Sequence, residues 1–181
     1  MRQEMFGTLP DGTLYTKRRN LAYGRLYTAE NPRIHSSAAK DGYETIPGVV
    51  CEFPCLGAYV VSFRTDKTMS GTHWGSLGEV KENCTIWIYF CKTLEKAQDR
   101  HYDMAYLVNN IQQASDGRWY AIVNVEENYP YCCFRFNTYS DGTYVQTAKI
   151  WDISMTYSAN LHPYTPAPED DETVVLTEGA G

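Results

Sequence analysis

The chain has 181 residues, 43% of them hydrophobic, and a formal net charge of −6. This length predicts one domain with a real core. The acid excess argues against a general nucleic-acid binder, which needs a basic face, and no apolar run approaches the roughly 18 residues of a membrane-spanning helix.

Residues 1–45 read as an extended, basic, Tyr-rich arm. Residues 1–40 hold seven Lys/Arg against three acids. Asp11-Gly12 is a turn signal, and Thr13-Leu14-Tyr15-Thr16 after it reads as a short strand, which suggests one hairpin. Asn31-Pro32 then breaks the chain. No apolar h-region follows Met1-Arg2-Gln3-Glu4, so synthesis in the cytoplasm is expected.

A single α+β core is expected over 46–158. Ile46–Cys51 and Ala58–Phe63 read as strands, and the Gly-containing stretch 66–82 as a long loop, a kind of segment that often carries function. Cys84-Thr85-Ile86-Trp87-Ile88-Tyr89-Phe90-Cys91 is apolar on both faces, which predicts a central strand covered on both sides. Leu94, Ala97, His101, Met104, Val108 and Ile111 recur at steps of three or four. That predicts one main amphipathic helix over about 93–114, capped by Thr93, with Glu95 near its positive end and Gly117 as the stop beyond it.

Trp119–Val125 and Tyr131–Thr138 read as further strands separated by the Glu126–Pro130 turn. Ser140-Asp141-Gly142 predicts a hairpin. The last strand alternates, with Trp151, Ile153, Met155 and Tyr157 on one face. The expected fold is therefore mainly antiparallel sheet or sandwich with the helix packed on it, plus extended termini. Residues 159–181 read as a Pro-rich acidic tail, with five acids and no base over 167–181.

No catalytic motif is present, and none of the four histidines sits in a nucleophile–base context. His101 reads as a core-edge residue, and Glu126-Glu127 as turn charge. Six cysteines without an export signal read as reduced thiols. Cys51-x3-Cys55 with His73 is a weak zinc alternative of non-standard spacing. The prediction is no catalytic, cofactor or metal site and no enzyme activity. The opposite charges of the two ends, with their aromatics, mark a candidate interface: Lys17, Arg18, Arg19, Tyr23, Arg25, Tyr27, Glu169, Asp170, Asp171 and Glu172. Trp74 joins them as either a core plug or a contact residue.

The order of Thr85–Phe90, the expected helix and Trp151-Asp152-Ile153-Ser154-Met155-Thr156-Tyr157 resembles tail and neck proteins of tailed bacteriophages, of the tail-terminator or tail-completion type. Tail-tube subunits come second. The resemblance covers roughly 46–157 and is one of pattern. It implies a virion subunit assembled in the host cytoplasm, forming a ring, expected as a hexamer, at the tail–head junction. Its partners would be itself and neighbouring tail or connector proteins, with DNA at most passing through the ring. A different class stays open: a monomeric β-rich module that binds a ligand or carbohydrate.

Overall fold

The computed structural model describes residues 6–8, 14–16, 20–23, 27–36, 45–53, 56–70, 83–99, 101–137, 147–165 and 167. In chain order the elements are β1 (Phe6–Thr8), β2 (Leu14–Thr16), β3 (Ala22–Tyr23), β4 (Arg33–Ser36), β5 (Thr45–Glu52), β6 (Gly57–Thr65), β7 (Thr68–Met69), β8 (Asn83–Cys91) and α1 (Leu94–Gln98). They continue with β9 (Met104–Leu107), β10 (Gln112–Gln113), β11 (Trp119–Val125), β12 (Tyr131–Asn137) and β13 (Thr147–Tyr157). The hairpin expected at Asp11-Gly12 is present as β1 paired with β2. No helix among the described residues is long and apolar enough to cross a membrane.

Two sheets form a sandwich. One has the order β10-β11-β6-β13-β4; the other runs β3-β5-β12-β8-β7, with β9 also on β8. All pairs are antiparallel except the two-residue β7 beside β8. Alternate side chains of each strand point inward. Tyr59, Val61 and Phe63 of β6 meet Phe134 and Phe136 of β12 and Ile86, Ile88 and Phe90 of β8 in one buried cluster. Phe63 and Phe136 cross the gap edge to face at 5.8 Å, an arrangement that suits two ring quadrupoles.

The helix is much shorter than its apolar period predicts. It spans Leu94–Gln98, capped by the Thr93 hydroxyl as expected. Residues 104–107 instead form β9, antiparallel to β8. Two contacts draw the chain back toward β8. The Cys91 thiol donates to the His101 carbonyl, and Asp103 accepts from the Lys92 N–H and pairs with Lys96. The edge of β8 then gains a partner, which satisfies its backbone groups. His101 accordingly lies in an exposed loop and not on a helical stripe. Gly117, at φ +86°, sits in the turn from β10 to β11 instead of stopping a helix.

The last strand is bent where strict alternation was expected. Trp151 pairs with Arg64 and Ser154 with Ser62, a bulge that places two residues opposite one. Asp152, at φ 51°, takes the left-handed conformation there. The Arg64 guanidinium at 3.3 Å and a bond from the Asp152 N–H to the Tyr27 carbonyl hold it.

Residues 20–23 and 27–36, read from the sequence as part of an extended arm, add a strand to each sheet: β3 on β5 and β4 on β13. Asn20 anchors this segment. Its amide donates to the carbonyls of Ile153 and Thr165, and its oxygen accepts from the N–H groups of Ala22 and Met155.

Candidate functional site

The outer face of the second sheet is covered at one end by α1. There Ala97 packs on Val50, Tyr89, Cys91 and Cys133. Cys132 and Cys133 are neighbours in β12, so they point to opposite faces. Cys132 faces inward, directly opposite Cys51 of β5. Cys133 faces outward toward Cys91 of β8, diagonal to it in the register. The Cys91 thiol is held below its ordinary value chiefly by the hydrogen bond from Cys133, and burial pushes the Cys132 thiol well up. All five described cysteines are free thiols. Cys55 and His73 lie outside the described residues, and no metal-holding cluster of His, Cys, Asp or Glu occurs among those described.

Ser158 and His162 also meet, Oγ to Nε2, at 2.9 Å. The hydroxyl accepts the Asn160 N–H as well. This geometry closes a turn after β13.

The concave site lies elsewhere, on an open flank of the sandwich. Beyond Tyr120, β11 pairs only with β6 among the described residues. In the other sheet β9 is the outermost strand at this level among the described residues. A groove of about 400 Å³ runs between these edges, within the usual size of small-ligand sites. Its floor is apolar, from Phe90, Val123 and Val125. Met104 and Tyr106 of β9 form one wall, and Ile122 and Asn124 of β11 the other. Asn110, from the loop that crosses between the sheets, donates to the Ile122 carbonyl at 2.8 Å. That bond satisfies one group of the bare β11 edge. It also shows that the backbone groups of even-numbered β11 residues point into the flank.

Glu126, Glu127 and Tyr129 close one end. The Tyr129 ring stands 5.8 Å from that of Phe90. Burial pushes the Tyr129 phenol up, and the nearby Glu127 carboxylate adds to this. Glu126 and Glu127 are the only charged groups among the described lining residues. Aromatic rings, two amides and two carboxylates thus converge on a pocket with an apolar floor.

The structure does not gather the interface residues expected from the sequence at this groove. Tyr27 is 9% exposed and belongs to the protein's own core. Tyr23 pairs through its backbone with Val50. Lys17, Arg18, Arg19, Arg25, Trp74, Glu169, Asp170, Asp171 and Glu172 lie outside the described residues. In the sequence these residues belong to the expected strands (Phe90, Ile122–Val125), the expected helix (Met104, on its buried face, with Tyr106 and Asn110) and a turn (Glu126, Glu127, Tyr129). Their only signal in the sequence is the polar–aromatic run Glu126-Glu127-Asn128-Tyr129 and the Asn109-Asn110 pair between apolar stretches. Comparison of the chain with known protein families, curated proteins and solved structures yields no match.

Proposed function

We propose that the chain is a non-catalytic binding module whose β-sandwich holds a carbohydrate in the flank groove. The supporting observation is the pairing of aromatic side chains with polar groups along one open channel. A sugar ring presents C–H groups on its faces and hydroxyls on its rim. Tyr106 and Tyr129 match the first, and Asn110, Asn124, Glu126 and Glu127 the second. Titration calorimetry against a panel of oligosaccharides tests this reading. Binding by at least one of them, weakened about tenfold or more by Tyr129→Ala, is the expected result. No binding across the panel removes the reading.

A ring-forming subunit of a phage tail or neck is the second reading. One observation favours it: among the described residues β4 is an edge strand of its sheet, and its Ile34 is 51% exposed. An exposed edge with an apolar side chain is a ready template for pairing with another copy. Light scattering behind size exclusion separates the two readings. A hexameric ring supports assembly, and a monomer at micromolar concentration supports the binding module.

A further inference from the structure

Among the described residues that line the groove, two carry charge, and both are acids. No Lys, Arg or His stands among those described lining residues. A cleft with one sign of charge and low-dielectric walls concentrates the field inside it. Asp103 lies close enough to act on the Tyr129 phenol, but its charge is neutralised by the ion pair with Lys96. Tyrosine ring faces also attract cations. An anionic sugar would meet repulsion at the Glu126–Glu127 end. A neutral one offers these carboxylates hydroxyl hydrogen bonds but no ionic partner, which an ammonium group supplies in addition.

We propose that the groove selects an amine-bearing saccharide, with the ammonium group seated between the Glu127 carboxylate and the Tyr129 ring and the sugar carbons on the apolar floor. This rests on the reading of the groove as a carbohydrate site and names the group that distinguishes its ligand. Glu126 stands beside it as a second anion. Asn110 and Asn124 remain to meet hydroxyls.

The test compares two probes with one skeleton, the glucosamine trimer and the N-acetylglucosamine trimer, by calorimetry on the full chain. The pH is set so that the glucosamine amines are protonated. The glucosamine trimer should bind about tenfold tighter, the scale of one or two partly exposed ionic contacts. Glu127→Gln, which keeps the shape of an exposed side chain, should erase that preference. Added salt should shrink it. Equal binding of the two trimers, both lost in Tyr129→Ala, overturns the amine selection and leaves the carbohydrate site standing. No binding of either, nor of any other sugar, removes both. Glucosamine trimer binding that survives Glu127→Gln and Tyr129→Ala unchanged would reflect general attraction to an acidic protein and overturns the proposal. Spermidine binding as tightly as the trimer would remove the sugar from it.

Discussion

The Arg135 guanidinium donates to the Tyr89 hydroxyl at 2.6 Å across the outer face of the second sheet. The same cation lies 5.8 Å from the Trp87 ring, its direct cross-strand neighbour. Burial raises the Tyr89 phenol above 10.0, and Arg135 opposes that rise. A raised acid holds its proton longer in the folded state than in the unfolded one. Its contribution to stability is therefore full below pH 10.0 and is lost as pH rises through the folded value. Tyr89→Phe should cost about 1–2 kcal/mol at pH 7 through the missing hydrogen bond. It should also lessen the loss of stability on going above pH 10.0. Urea melts at neutral and alkaline pH measure both; an unchanged alkaline slope would contradict the assignment.

Asn20 is 2% exposed with all four of its hydrogen-bonding positions engaged. Asn20→Ala leaves buried groups of Ile153 and Met155 without their partner and should cost about 3 kcal/mol. A fragment of residues 42–160 should fare worse, because it lacks β3, β4, Asn20 and Tyr27. We expect it to lose the cooperative thermal transition by circular dichroism. A sharp transition would show that the N-terminal segment is dispensable for folding.

Ala97 and Met104 were both expected on one buried helical face, and they now divide. Ala97 is fully buried under α1, whereas Met104 is 37% exposed on β9. Ala97→Asp should destabilise by several kcal/mol, on the order of 3, by forcing a charge between helix and sheet. Met104→Asp should cost less than about 1 kcal/mol. Paired chemical denaturation curves decide it, and equal losses would restore the long helix.

Gly57 begins β6 at φ +137°, and a Cβ there would meet the Tyr157 ring at 3.0 Å. Gly57→Ala therefore combines backbone strain with a clash and should cost about 1–3 kcal/mol. A thermal melt indistinguishable from the wild type would refute this.

The strands were largely legible in the sequence. The apolar run Cys84–Cys91 is a central strand because its inner residues enter the core and its outer ones meet α1 and Arg135. Ile153 and Met155 face inward as their alternation requires. The helix was misread because Leu94 and Ala97 belong to α1 while Val108 and Ile111 reach the core from the loop after β9. A step of three or four arises from either arrangement. What separates them is the demand of the β8 edge for a partner, which is a tertiary property. The groove was not legible, since its walls come from β8, β9, β11 and the β11–β12 turn. Only folding brings Asn110 to Ile122 and Tyr129 to Phe90.

The bond from Asn20 to the Thr165 carbonyl ties the segment that leads into β3 to the segment that follows β13. Tension applied through residues 20 and 165 would load this polar contact first. Weak contacts in series with a strong body act as a mechanical fuse. Each end can peel away one hydrogen bond at a time while the β6–β13 and β8–β12 ladders stay out of the line of force. A pulled molecule would first lengthen in small steps at low load, and only then rupture as a whole.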